Sequence, residues 1–279
     1  MTKPEYTCIA IERSDGILAI TLNRPDVCNA MNLAMVEEIG AALDAVADDL
    51  SIRIVVLRGA GGNFCAGGDI KDMVAAKSAE TTDNHDPVFE LNRAFGRMIA
   101  KVDSAPQVVI TCLEGAVLGG GFGLACVSDI AIADSRAQFG MPETGLGVPP
   151  AQIAPFVVTR VGLTQARRLV LTGARFDGVE AERLGVVHFV TEGLDEMNAL
   201  LERQITQIRN CAPLANRITK ELILRVASMD REALLDEAAQ SFATAVRSTE
   251  GREGTRAFAE KRRPTWARQD GIGRPRCPN

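Results

Sequence analysis

The chain has 279 residues, 46% of them hydrophobic, and a formal net charge of −5. That much apolar material buries a sizeable core and excludes a disordered segment or a miniature scaffold. The acidic balance lacks the basic face of a protein held by phosphate neutralisation, so no nucleic acid partner is expected.

Seven cysteines lie far apart, with none at zinc-ribbon or thioredoxin-like spacing, and no His or acidic pair supplies a metal site. Their odd number and apolar neighbours suit reduced packing residues in a reducing compartment, which makes the cytoplasm the expected location. The first residues show no basic stretch followed by an apolar run. The longest uncharged run, 115–128, is Gly-rich and shorter than the roughly 20 residues of a membrane-spanning helix, so no membrane partner is expected.

Taken in chain order, residues 7–13 and 17–23 read as two strands turned at Ser14-Asp15-Gly16, because Asp-Gly is a strong hairpin signal. From Asn32 the apolar residues Leu33, Val36, Ile39, Leu43 and Val46 recur at helical spacing, with Asn32 as the cap and Glu37-Glu38 on the other face. Residues 52–57 form a β-branched apolar run ending in Gly59-Ala60-Gly61-Gly62, a buried strand entering a loop. The polar stretch 77–87 predicts a mobile surface loop. Strands follow at 108–113 and 130–133, and strands separated by helical segments imply βαβ units with parallel pairing. No fixed-period repeat is visible. After about residue 195 the pattern is helical only, with one stripe at Leu214, Ile218, Leu222 and Val226 and another at Leu234, Leu235, Ala238, Phe242 and Val246. Residues 271–279 read as a frayed tail.

Three segments offer chemistry. Phe64-Cys65-Ala66-Gly67-Gly68-Asp69-Ile70 and Leu118-Gly119-Gly120-Gly121-Phe122-Gly123 each follow a strand and open a helix. Glycine lets a ligand approach the backbone, and the N–H groups of a helix start point outward in the positive lobe of its dipole. Either segment alone does no more than turn the chain, but two facing one point would make an oxyanion hole. Neither carries a dinucleotide fingerprint or a P-loop Lys. The third segment, 137–147, sets Glu143 between apolar residues and turn formers, where burial would raise its pKa toward that of a general acid/base. Asp129 and Glu114 read as strand-end residues, and His85 and His188 as structural or exposed.

Together these segments resemble the crotonase (enoyl-CoA hydratase/isomerase) superfamily over nearly the whole chain. Asn23-Arg24-Pro25 with Asn29-Ala30-Met31-Asn32 resembles the family's approach to its first helix. Phe64 to Ile70 and Gly119-Gly120-Gly121 resemble its two oxyanion-hole loops, Ser128-Asp129-Ile130 the strand behind them, and Phe139-Gly140-Met141-Pro142-Glu143 its catalytic loop. Leu171-Thr172-Gly173, Ala181 with Leu184 to Val187, and Phe258 to Arg262 also match. The resemblance implies an α/β fold, a repeated ββα spiral core over 1–194, with a C-terminal helical trimerisation region over 195–266 and a flexible tail over 267–279. It implies that the N–H groups of Ala66 and Gly120 polarise a thioester carbonyl, with Glu143 catalytic. Ala66, Gly67, Gly68 and Asp69 would line the acyl-CoA path, and Phe258 and Lys261 would help bind the CoA nucleotide. The implied substrate is an acyl-CoA, with no cofactor beyond the coenzyme A it carries, and the implied assembly is a homotrimer or hexamer.

One departure directs the expected activity. Two-carboxylate hydratases of the family have Glu where this chain has Gly123, so one of the pair, Glu143, remains. Where common hydratases have a Gly-Gly-Thr-Gln-Arg type run, this chain reads Leu146-Gly147-Val148-Pro149-Pro150-Ala151-Gln152-Ile153-Ala154-Pro155. Both features resemble methylglutaconyl-CoA and isohexenylglutaconyl-CoA hydratases. The expectation is hydration of a branched glutaconyl-CoA, with Gly123 leaving room beside the reacting carbons and the substrate's own second carboxylate helping to hold the water. Double-bond isomerisation by the same Glu143 is the rival, since a proton shuttle needs no water. A catalytically silent acyl-CoA-binding scaffold ranks last, because Glu143 and both glycine segments are kept.

Overall fold

The computed structural model describes residues 6–82 and 85–267, so the tail expected over 267–279 lies outside the described residues except for Ala267. Asp15 and Gly16 take φ of 48° and 77° and join β1 (Ile9–Ser14) to β2 (Ile17–Leu22) as the hairpin that Asp-Gly predicts. Asn32 caps α1 (Leu33–Asp44), its side chain accepting from the Met35 N–H at 3.0 Å, and Val36, Ile39 and Leu43 turn into the core. Next come β3 (Ile54–Gly59), α2 (Ile70–Ser78) and α3 (Pro87–Asp103). The loop expected over 77–87 is shorter than that: α2 holds Ser78, and the Asp86 carboxylate accepts from Val88 and Phe89 N–H to start α3.

The chain continues through β4 (Val108–Leu113), β5 (Ala116–Leu118), α4 (Gly120–Val127), β6 (Ile130–Asp134), β7 (Gln138–Gly140), α5 (Ala154–Thr172), β8 (Arg175–Phe176), α6 (Gly178–Arg183), β9 (Phe189–Thr191) and α7 (Leu194–Asn210). Six strands form one sheet in the order β1-β2-β3-β4-β6-β9, parallel except for the first pair. Val55, Leu57, Val109, Ile110, Ala131 and Ile132 are all fully buried there, as strands covered on both faces must be. A small second sheet runs β5-β7-β8. The repeat that the sequence hides is a unit of one main-sheet strand, one short strand and one helix, seen in β4-β5-α4 and again in β6-β7-α5.

The described chain divides into compact units at Arg203/Gln204. The boundary expected at 194/195 falls earlier, at the start of α7. Its first turns belong with the first unit, because Met197, Leu200 and Leu201 are buried and Asn198 accepts from Arg58 at 2.7 Å. The second unit carries α8 (Pro213–Arg225), α9 (Arg231–Arg247) and α10 (Thr249–Ala259). Glu250 at the start of α10 accepts from the Leu214 and Ala215 N–H groups, both at 3.1 Å, and so caps α8.

Candidate active site

Three turns reach one place because three short segments pair in register. Cys65 bridges in parallel to Val117, and Val117 pairs in parallel with Phe139. Two residues beyond these stand Gly67, Gly119 and Met141, so the glycine segments and the Glu143 turn leave the same edge. Gly119 adopts φ 49° and ψ −115°, a conformation closed to side-chain-bearing residues, and its N–H donates to the Gly140 carbonyl at 3.0 Å. A Cβ there would lie 2.7 Å from Glu143 Oε1 and 3.5 Å from Gly67 Cα. The structure thus brings all three sequence-predicted segments into contact.

The hydrogen bonds of the first segment spend the N–H that the resemblance offered as an oxyanion donor and leave another free. The Ala66 N–H, expected to face the substrate, donates to the Cys28 carbonyl at 2.9 Å. Gly67 N–H is taken by Cys65 Sγ at 3.3 Å and Asp69 N–H by the Met31 carbonyl at 2.9 Å. Gly68 is exposed, and its N–H has no acceptor among the described residues. The reason is geometric: Met31 bridges in parallel to Gly68, its own N–H donating to Gly67 O, so Gly68 N–H points away from that neighbour. On the other segment Gly120 is the first residue of α4, where N–H groups lack intrahelical partners, and no described residue accepts from it. Met31 Cε and Phe95 Cζ stand 2.5 and 2.8 Å from the position of a Cβ at Gly120 and wall that side.

Glu143 opens a 3-10 turn, Glu143–Leu146, whose C-cap Gly147 at φ 79° donates back to the Glu143 carbonyl. The carboxylate's Oε2 is buried with no hydrogen-bond partner. Burial pushes the carboxyl pKa above the ordinary Glu range, against a smaller opposing pull from its own backbone N–H. Asp69 is its opposite. Burial alone would raise it, but the Lys71 N–H at 2.9 Å and the Arg24 guanidinium at 2.9 Å outweigh that and hold it below the usual carboxylate range. Asp69 was expected on the acyl-CoA path; its carboxylate caps α2 and pairs with Arg24, and so shapes the loop.

Residues 23–32 are the brace behind this loop. Asn29, fully buried at φ 55°, donates to the Ala60 and Asn63 carbonyls at 2.8 and 2.7 Å, and Arg24 also donates to the Ala30 carbonyl. Cys65 sits inside the loop, yet burial pushes its thiol up to about 12, which removes it as a nucleophile. Asp129 anchors a strand end by accepting from Val109 N–H at 2.7 Å, and His188 accepts from Ala131 N–H at 3.0 Å, both structural roles.

Gly123 does not leave the expected room. It is buried in α4, and a Cβ on it would lie 2.4 Å from Ile153 Cγ2 and 3.4 Å from Ile99 Cδ1. Ile153, 2% exposed, fills the place of the absent Glu side chain. Ile153 stood in the sequence within the departing run after Glu143, but only the fold pairs it with Gly123. Phe258 and Lys261 belong to the second unit, where the Phe258 ring is 88% exposed and Lys261 follows α10 at φ 53°. Among the described residues no cluster of His, Cys, Asp and Glu suits a metal ion, and no helix is long and apolar enough to cross a membrane.

Two unspent backbone donors beside a buried carboxyl of raised pKa form the equipment of an enzyme that polarises a carbonyl and moves a proton. Residues 12–269 match the enoyl-CoA hydratase/isomerase family, and the chain belongs to it and shares the crotonase-type α/β fold. Among solved structures, Pseudomonas aeruginosa AtuE is 57% identical, with 94% of this chain and 100% of that chain covered and a TM-score of 0.91. An enoyl-CoA hydratase/isomerase from Marinobacter aquaeolei is 55% identical, covering 94% and 99%, also at 0.91. The probable enoyl-CoA hydratase echA8 of Mycobacterium bovis is 34% identical over 263 residues, 94% of this chain and 98% of that protein.

Proposed function

We propose that the protein hydrates a branched glutaconyl-CoA, of isohexenylglutaconyl or methylglutaconyl type. The observation that carries this is the unpartnered, buried Oε2 of Glu143, a carboxylate that lies against Gly119 while Ile153, and no second carboxylate, lies against Gly123. Gly68 and Gly120 N–H groups hold the thioester oxygen. Glu143 as carboxylate takes a proton from water as the hydroxyl adds to the β-carbon, and charge gathers on the held oxygen as an enolate. Glu143, now protonated, returns that proton to the α-carbon. With no side chain at position 123 to hold the water from its other side, the substrate's second carboxylate does so, and this is what selects a glutaconyl ester. Ala66 and Gly67 line the acyl-CoA path beside these donors, and Phe258 and Lys261 contribute to binding the CoA nucleotide. The enzyme works in the cytoplasm as a homotrimer or hexamer and needs no metal or cofactor beyond the coenzyme A of its substrate.

The same single carboxylate supports a second reading, double-bond isomerisation, in which Glu143 carries a proton between carbons. Turnover of a branched glutaconyl-CoA and of crotonyl-CoA, followed by mass, tests both. Gain of one water with at least about a tenfold preference for the glutaconyl ester supports the proposal, that being the worth of one buried carboxylate contact. Double-bond migration without mass gain supports the isomerase.

A further inference from the structure

A dicarboxylic thioester carries a charge that the site must neutralise, and α3 offers a cation at the right place. Phe95 of α3 packs on Gly120, and Ile99, one turn further on, packs on Gly123 beside Ile153. Arg93 stands two residues before Phe95, half-buried, and folds back over Gly96, with Nη1 2.8 Å from the position of a Cβ there. That Nη1 donates to Gln152 Oε1 at 2.6 Å, and Gln152 Nε2 donates to Asn92 Oδ1 at 2.6 Å. Gln152 is the residue bonded to Ile153, so the guanidinium is joined to the wall of the reacting end through one peptide.

Gly96 makes the clamp possible. A Cβ at that position would fall 1.9 Å from Gln152 Oε1, so any side chain there expels the amide from its seat across the helix. The half-buried arginines Arg24 and Arg262 pair with Asp69 and Glu253, whereas no carboxylate reaches Arg93 among the described residues. Its one hydrogen-bond partner among the described residues is a neutral amide oxygen that orients it without discharging it. A guanidinium has five N–H donors in a planar fork suited to a carboxylate, and Arg93 leaves most of them unspent.

We propose that Arg93, positioned by Gln152 and Asn92, is the receptor for a carboxylate on the acyl part of the substrate, so that the enzyme favours CoA monothioesters of dicarboxylic acids. This rests on the reading of the site given above and names the group that selects its substrate.

The test has two arms. In the first, kcat/KM for 3-methylglutaconyl-CoA and for crotonyl-CoA is measured in wild type, Arg93→Gln and Arg93→Lys. Arg93→Gln should lower efficiency on the dicarboxylic ester at least about tenfold more than on crotonyl-CoA, mainly through KM, with Arg93→Lys in between. Equal losses on both esters would mark Arg93 as merely structural and overturn the proposal. In the second arm the saturated, unreactive glutaryl-CoA and butyryl-CoA are titrated calorimetrically into the same proteins. Wild type should bind glutaryl-CoA at least about tenfold more tightly, and Arg93→Gln should erase the preference. Absence of preference in wild type ends the proposal. Preference without turnover of any glutaconyl ester would instead keep the carboxylate receptor and end the hydratase reading.

Discussion

The two units of the chain spend their apolar residues in opposite ways. In the first, Leu18, Ile20, Leu22, Val55 and Leu57 have no solvent exposure, and the turns that carry Gly68, Gly120 and Glu143 leave the small sheet at the fully buried Cys65, Val117 and Phe139. In the second, α8 and α9 bury no residue, and Ile223, Val226, Leu235 and Phe242 stand 64%, 65%, 56% and 72% exposed. A rigid core is what holds backbone donors within the tolerance that a developing oxyanion demands. Helices left apolar on the outside are instead material for contact with another copy. Substitutions in the first unit should therefore change chemistry, and substitutions in the second should change assembly.

The largest effect should come from Glu143→Gln, which keeps shape and removes the base. We expect kcat to fall about 100-fold or more with CoA ester binding retained, as read by steady-state kinetics and calorimetry. Activity within a few-fold of wild type would end the mechanism. Gly120→Val should follow with about a tenfold or larger loss in kcat, because its side chain meets Met31 and Phe95 and shifts the donor, while circular dichroism stays that of a folded chain. Normal kcat in that variant would place the oxyanion hole elsewhere.

Much of this contrast was legible in residues 7–59 and 108–134, where hairpin, cap and buried-strand patterns each act locally. The three chemical segments were also legible, as glycine runs and a carboxylate after proline. What stayed hidden was pairing at a distance. Nothing in Phe64 to Ile70 tells which N–H is spent, since the acceptor, Cys28 O, is set by a bridge between Met31 and Gly68. Likewise Gly123 reads as empty space until α5's approach brings Ile153 onto it. The ββα repeat was implied by the family resemblance and not by any period in the residues, because its short strands, at Cys65, Val117 and Phe139, are unevenly spaced along the chain.

The second unit supplies the next test. Leu235→Asp combined with Phe242→Asp puts two charges on exposed positions of α9 that carry no buried packing. Sedimentation at micromolar concentration should show the wild type as a trimer or hexamer and the variant as smaller species. The variant's helical dichroism should remain, because each site is on the solvent side of its own unit. A monomeric wild type would end the assembly proposal, and an intact oligomer in the double variant would move the contact off α9.

The smallest effect concerns Glu143 and pH. Burial raises its carboxyl pKa in the folded chain, while in the unfolded chain it returns to the ordinary range. Between those two values the folded state holds a proton that the unfolded state has lost, so stability falls as pH rises through that window. Below the ordinary Glu range both states are protonated and Glu143 adds no pH dependence. Above the folded pKa the native state carries the full cost of an ionised, unpartnered oxygen. Glu143→Gln has no such proton to lose. Its Tm relative to wild type should therefore be lowest in mild acid and climb as pH rises through the raised pKa, then level off. Because hydration uses the ionised carboxyl, the wild-type kcat/KM should rise over that same interval, above the usual Glu range. Paired melting curves and a pH–rate profile check the match. A Tm difference flat with pH, or a rate profile that rises at the ordinary Glu value, would mean that Oε2 is solvated in solution and that burial does not tune this group.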